Sequence, residues 1–187
     1  SPTTQVLVIE DGVPDTQGIF GHPLADAHVP ALIEHATLLQ GGDSVLYGSN
    51  AMAGVVQIRS RWPSEPGGKL LSDQAWGSFG TLRGSLSALA GTAAGDWVAA
   101  VSALSSEGHR PGAGGELRVG QLGWRRGLGR SWQLSLRNKL LHLEGADPGP
   151  ASHPTPEHWF DVWRDAASAQ LAWRSAGTRA TLSPYLH

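Results

Sequence analysis

Histidine is the residue best placed to do chemistry in this sequence of 187 residues, which contains eight histidines and no cysteine. His153 and His158 lie in a proline-rich stretch, and His22 and His28 form a second close pair near the N-terminus. Neither pair makes up an established metal-ligand motif. We therefore interpret these histidines as exposed loop residues and predict no metal site.

Catalytic signatures are also missing from the sequence. There is no G-x-S-x-G or H-E-x-x-H motif, and the glycine-rich stretch Gly112–Gly115 follows no strand–helix pattern, so a flexible loop is expected there. The lack of cysteine excludes a disulfide scaffold, Cys-ligated zinc and thiol catalysis. The net charge of −2 offers no basic surface for nucleic acid. We predict a protein that is not an enzyme, holds no cofactor and binds no nucleic acid.

Residues 67–187 contain the elements that would position any binding site. Segments of about ten residues alternate between apolar and polar side chains, most clearly in Leu82–Ala90, Trp132–Leu140 and Ala167–Arg174. The connections between them are short and long in turn. This pattern is typical of an outer-membrane barrel, in which periplasmic turns are tight and external loops are long.

The positions of the tryptophans favour the same interpretation. Four of them lie within a few residues of the predicted short turns, namely Trp97, Trp124, Trp132 and Trp173. Indole rings favour the membrane interface because they are amphipathic, so we predict that these four form an interfacial girdle. A soluble β-sandwich would also alternate, but it gives no reason for tryptophans to gather at strand ends.

Residues 1–66 have the pattern of a small mixed α/β domain. The apolar runs Val6–Ile9, Ala31–Leu39 and Val55–Ile58 are strand candidates, and a helical turn is expected at Asp43–Tyr47. The stretch Trp62–Gly68, rich in proline and glycine, is interpreted as a linker.

The order of motifs in this first domain resembles the plug domain of TonB-dependent receptors. D-G-V-P begins at Asp11, I-E begins at Ile33, and L-Y-G-S-N-A-M-A-G-V-V-Q-I runs from Leu46 to Ile58, so the resemblance covers about residues 5–61. We interpret the following residues as its structural motif: Asp11, Gly12, Gly41, Tyr47, Gly48, Asn50 and Gly54.

One stretch departs from the family pattern. The family usually has I-E-R-I-E-V-x-R-G-P, whereas Ile33–Gly42 reads I-E-H-A-T-L-L-Q-G-G, without the second acid, the arginine and the proline. In the family such charged groups are thought to attach the plug to the barrel wall. The resemblance therefore implies that attachment of the plug is weakened here.

The resemblance implies a mainly β fold in two parts. Residues 1–66 would be the C-terminal part of the plug, and residues 67–187 would be about the first seven antiparallel strands of an incomplete transmembrane barrel. A plug needs a barrel of about 22 strands, each of about 9–11 residues. Because residues 68–187 are too few for that, we expect the sequence to be a piece of a longer receptor.

The resemblance also implies a function, namely ligand-gated uptake of a scarce nutrient across the outer membrane of a Gram-negative bacterium, energised by TonB. The ligand would be a small metal chelate of the ferric siderophore or haem class, or a cobalamin-like molecule. TonB would be contacted through an N-terminal box, and outer-membrane lipid would surround the barrel. The candidate ligand contacts in exposed loops are Asp15, Gln17, Phe20, His22 and Trp159.

Two alternatives remain open from the sequence. The first is a receptor remnant that binds but does not transport, which loss of a TonB box would favour. The second is a soluble secreted β-sheet binding protein, which solubility without detergent would favour.

Overall fold

A computed structural model describes residues 6–15, 27–40, 51, 53–150, 152–153, 155 and 158–187. These residues form a 3₁₀ turn at Pro30–Leu32 and two separate β-sheets. The strands are β1 (Val6–Glu10), β2 (Val13–Pro14), β3 (Ile33–Gln40), β4 (Gly54–Ser60), β5 (Gly67–Trp76), β6 (Leu82–Thr92), β7 (Gly95–Ser106), β8 (Gly115–Leu128), β9 (Trp132–Ala146), β10 (Trp159–Ser175), β11 (Thr178–Leu182) and β12 (Tyr185–Leu186).

The small N-terminal sheet has the strand order β2-β1-β4-β3. Strands β1 and β4 run parallel, with Val6 opposite Gly54, and their apolar side chains form a small core that includes Leu7 and Val55. Asp11 and Gly12 both have positive φ values, of 49° and 88°, and join β1 to β2. A two-residue turn of this kind matches the twist of a hairpin, which is why Asp-Gly is favoured there.

The large sheet is an antiparallel meander in which each strand from β5 to β11 pairs with its sequence neighbours. Strand β12 pairs with β10 beyond the end of β11. Short turns at residues 93–94, 129–131 and 176–177 lie at one end, and the longer loops 107–114 and 147–158 lie at the other. The predicted series of antiparallel strands is therefore confirmed, and in the described residues the sheet is not closed into a barrel.

The two faces of the large sheet have different surroundings. One face packs against the N-terminal domain, and the shared core contains Val29, Leu32, Val98, Val119 and Leu141. The opposite face carries large apolar side chains with nothing over them, namely Leu70, Leu86, Val101, Leu122, Leu136 and Leu140. An exposed apolar surface of this extent is typical of a protein that meets a membrane or a partner. No helix in the described part of the chain is long and apolar enough to cross a membrane.

The four tryptophans predicted at the membrane interface lie on this outward face close to the short turns. They form two cross-strand pairs, Trp97 opposite Trp124 and Trp132 opposite Trp173. The ring centroids are 6.1 Å and 6.4 Å apart, which is a favourable separation for aromatic pairs. Their role at a lipid interface stays a prediction.

The mainly β fold class is confirmed. The first strand of the large sheet begins at Gly67, where the second domain was predicted to start. The small domain was predicted to be mixed α/β, but its described residues form strands and the 3₁₀ turn. The helical turn predicted at Asp43–Tyr47 lies outside the described residues.

Candidate functional site

Buried charged side chains fill the contact between the N-terminal domain and the large sheet. We call the following seven residues the interface cluster: Glu10, Asp11, Asp15 and His28 of the N-terminal domain, and Arg137, Lys139 and Arg164 of the large sheet. The acids are placed by the β1–β2 hairpin, since Glu10 ends β1, Asp11 begins the turn and Asp15 follows β2. The basic residues lie on β9 and β10 and point to the same side, because side chains alternate along a strand.

Glu10 lies at the centre of the interface cluster. Its Oε2 atom is 2.5 Å from Lys139 Nζ and 3.1 Å from His28 Nδ1. The amide Nε2 of Gln121 donates a hydrogen bond of 3.3 Å to the other carboxylate oxygen. Gln121 and Lys139 are directly opposite each other on β8 and β9, so two neighbouring strands of the large sheet converge on this one carboxylate.

Asp15 forms the second anchor of the interface cluster and is only 5% exposed. Its Oδ1 atom is 2.5 Å from Arg164 Nη2, and its Oδ2 atom is 3.1 Å from His28 Nε2 and 3.7 Å from Lys139 Nζ. Burying an unpaired carboxylate would be very costly. The contacts of Glu10 and Asp15 with Lys139, Arg164 and His28 thus allow both acids to be buried in ionised form.

His28 connects the two acids, with one ring nitrogen directed at each carboxylate. Burial alone would lower the pKa of His28, but its contacts with Asp15 and Glu10 outweigh this and raise the pKa above its ordinary value. Burial would raise the pKa of Asp15, but His28, Lys139 and Arg164 lower it to about 2. The same balance of burial against His28 and Lys139 holds the pKa of Glu10 far below its ordinary range.

Arg137 joins the interface cluster to the linker between the two sheets. Its guanidinium contacts the carboxylate of Asp11 and the hydroxyl of Ser60. It also stacks on the Trp62 ring at 4.8 Å, and Arg125 stacks on the same ring at 4.8 Å. The linker tryptophan is therefore held by two cation–π contacts to the large sheet.

Gly123 on β8 makes room for this tryptophan. A Cβ atom at position 123 would lie 3.1 Å from the Trp62 ring and 2.7 Å from a methyl group of Val98. A larger residue at position 123 would therefore press on both Val98 and the Trp62 ring.

Two groups of side chains in the described residues have the types that ligate metals. Glu10, Asp15 and His28 form the first group, and His142, Glu144 and Asp161 form the second, on β9 and β10. In the first group the carboxylates already contact Lys139 and Arg164, and the two His28 nitrogens point to opposite acids. That arrangement serves charge pairing between the domains. In the second group His142 contacts Asp161 at 2.9 Å and stacks on Trp163.

The structure describes two of the five candidate ligand contacts. Asp15 is buried in the interface cluster, and Trp159 is 69% exposed at the start of β10, beside the long loop 147–158. Contact of either residue with a ligand stays a prediction. The other three candidates, Gln17, Phe20 and His22, lie outside the described residues.

The structural motif predicted from the resemblance is described in part. Asp11 and Gly12 form the β1–β2 turn. Gly54 begins β4 with φ of 155°, and a Cβ atom there would lie 2.7 Å from the carbonyl oxygen of Leu39. The remaining motif residues lie outside the described residues, namely Gly41, Tyr47, Gly48 and Asn50.

The structure shows ion pairs between the two domains despite the charges missing from Ile33–Gly42, and whether the attachment is weakened stays a prediction. That prediction rested on the missing charges, but the attaching acids are instead Glu10, Asp11 and Asp15. Sequence reasoning placed Arg137 and Lys139 on the polar face of their strand without recognising their partners. A usable signal was present, because charges on the inner face of a membrane strand must meet water or an opposite charge.

Comparison with known proteins agrees with this architecture. Residues 1–55 match the family model of the TonB-dependent receptor plug domain. The structure is similar to that of P. aeruginosa FpvA bound to a heterologous pyoverdine and iron, with a TM-score of 0.69 at 11% sequence identity. The similarity covers 96% of this chain and 27% of FpvA. A comparison with curated protein sequences gives no match.

The fold is a domain that matches a receptor plug, packed against consecutive antiparallel strands that are similar to part of FpvA. Residues 1–55 match the plug domain of TonB-dependent receptors, and the resemblance seen in the sequence is confirmed. Receptors of this family are proteins of the Gram-negative outer membrane, and they are not an enzyme family. Below, the N-terminal domain is called the plug and the large sheet is called the wall.

Proposed function

We propose that this chain is part of a ligand-gated, TonB-energised receptor that carries a ferric siderophore across the outer membrane. The observation that carries the proposal is the interface cluster, which attaches the plug to the wall through buried, reversible charge contacts. The similarity to FpvA in complex with a pyoverdine and iron supports the siderophore class over haem or cobalamin.

A charged interface suits a plug that has to move. Burying an ion pair costs desolvation energy that the attraction between the two charges only partly offsets. When the plug leaves the wall, water hydrates the exposed charges and compensates for the broken pairs. A purely apolar interface of the same size would lose all its burial energy on separation. The charges also favour a single orientation of the plug on the wall, because each acid has its own partner on the wall.

The alternatives from the sequence have lost support. A soluble secreted protein would need its outward apolar face covered, yet Leu70, Val101 and Leu122 are 60–68% exposed. A remnant that binds but does not transport would be favoured by loss of a TonB box, whereas the interface cluster supplies the contacts between plug and wall that a working receptor needs.

Uptake by cells tests the proposal. Cells producing the full-length protein would be given ferric pyoverdine labelled with ⁵⁵Fe, with ⁵⁷Co-cobalamin as the comparison, in the presence and absence of TonB. We expect iron to accumulate only when TonB is present and cobalamin not to accumulate. The matched variants are Trp159→Ala, beside an external loop, and Trp97→Ala, on the outward face near a short turn. Iron uptake that is independent of TonB would refute the proposal.

A further inference from the structure

A cavity of about 240 Å³ lies between the plug and the wall, next to the interface cluster. Its wall side is formed by the parts of β9, β10 and β11 closest to the short turns, so it lies at the end opposite the long loops. Five arginines line the cavity, namely Arg59, Arg125, Arg137, Arg174 and Arg179. The acids in its lining are Asp11 and Glu34.

Two of these arginines pair with a carboxylate of the described residues. Arg137 pairs with Asp11, and Arg125 pairs with Asp96 at 2.5 Å. No carboxylate among the described residues lies within ion-pair distance of the guanidinium groups of the other three, Arg59, Arg174 and Arg179. The cavity therefore has an excess of positive charge within the described part of the chain.

Two of the arginines without a carboxylate partner among the described residues are neighbours, so their positive charges repel each other. Arg174 on β10 is directly opposite Arg179 on β11 in the strand register. Like charges directly opposite each other in an antiparallel pair are destabilising. An anion bound between the two guanidinium groups would convert this repulsion into attraction.

We propose that this cavity binds a small solute carrying two or more negative charges on phosphate or carboxylate groups. The planar guanidinium group matches both kinds of oxyanion through paired N–H donors. Gln133 and Ser135 of β9 line the same cavity and add neutral hydrogen-bond donors. The volume corresponds to about eight water molecules at about 30 Å³ each, which is enough for pyrophosphate or citrate. The site is additional to the ligand site of the proposed function, since it opens at the other end of the plug.

Calorimetric titration of the full-length protein in detergent micelles tests this site. Inorganic pyrophosphate and citrate are the two probes, and they distinguish phosphate from carboxylate recognition. The key variant is Arg174→Gln/Arg179→Gln. Its matched control is Arg118→Gln/Arg126→Gln, which removes the same charge from the outward face of β8.

We expect the wild type and the control to bind at least one probe with the same Kd. The Arg174→Gln/Arg179→Gln variant should bind the probe about a hundredfold more weakly, because the loss of each charge-assisted contact lowers the affinity about tenfold. The Arg174→Lys/Arg179→Lys variant keeps the charge but loses the paired donors, so its affinity should be intermediate. Near-ultraviolet circular dichroism identical to the wild type establishes that each variant is folded.

Absence of binding to both probes, or unchanged affinity in the folded Arg174→Gln/Arg179→Gln variant, would overturn the proposal. The titration needs neither TonB nor a siderophore. Its failure would therefore leave the proposed transport function standing, and failure of uptake would leave this site standing.

Discussion

Replacement of Lys139 by methionine is the most direct perturbation of the contact between plug and wall. Methionine keeps much of the side-chain length and removes the ammonium group, which lies 2.5 Å from Glu10 and 3.7 Å from Asp15. All three side chains are at most 15% exposed, so water cannot readily replace the lost charge. His28 and Arg164 then remain as the closest cations to two buried acids.

The expected cost follows from this burial. Removing one partner of a buried ion pair costs about 3–5 kcal/mol, because the charge left behind is uncompensated. At about 1.4 kcal/mol for each factor of ten, the ratio of docked to undocked plug should fall by about two to four orders of magnitude. The matched control is Arg118→Met, which breaks an exposed pair with Glu116 and should cost about 1 kcal/mol or less.

Amide hydrogen exchange of β1 in the detergent-solubilised protein measures this change, since the β1 amides exchange when the plug opens. The double variant Glu10→Gln/Lys139→Met separates the interaction energy of the Glu10–Lys139 pair from the effects of the single substitutions. It removes both charges, so β1 should exchange more slowly than in Lys139→Met alone, with a coupling energy of at least about 1 kcal/mol. Exchange within threefold of the wild type in Lys139→Met, or faster exchange in the double variant, would refute the reasoning.

Three further predictions follow from the described contacts. Plug docking should be tightest between about pH 4 and pH 6.5. The lowered pKa of Asp15 adds stability that is lost as the pH falls from about 4 to about 2. The raised pKa of His28 adds stability that is lost as the pH rises above 6.5. Thermal unfolding measured across pH checks this. His28→Gln should abolish the loss at high pH and reduce the loss at low pH, because His28 also helps to lower the pKa of Asp15. Gly123→Val should push Trp62 off the wall and lower the free energy of unfolding by about 1–3 kcal/mol. The control is Gly127→Val, because a Cβ atom at position 127 meets no neighbouring atom. The denaturation midpoint of Gly123→Val should be lower than that of the control. Gly54→Ala should destabilise the small sheet by more than about 1 kcal/mol, because its Cβ would meet a backbone carbonyl at 2.7 Å. Faster amide hydrogen exchange confined to the plug would confirm it.

The sequence was sufficient for features that depend on local pattern. The alternation in Trp132–Leu140 identified a strand with one apolar face, because that signal lies within a few neighbouring residues. The positions of the short turns followed from the same alternation.

The interface cluster could not be predicted in this way. Glu10 and Lys139 are 129 positions apart, so no periodicity connects them and only the docking of plug on wall brings them together. Asp15 was taken for an exposed loop residue because the resemblance implies ligand contacts in loops of the plug, whereas the hairpin directs it into the wall. The sequence marks the polar face of β9, but it does not record which acid each basic residue meets.

The parallel pairing of β1 with β4 has a mechanical consequence. The C-terminal end of β4 leads directly to Trp62, which Arg125 and Arg137 hold against the wall. A force applied at the N-terminal end of β1 would therefore pull the two strands past each other along their length, in shear. All the hydrogen bonds between Val6–Glu10 and Gly54–Ile58 would then carry the load together. A plug built in this way resists small forces almost without deformation and yields abruptly above a threshold, which makes its opening a single event.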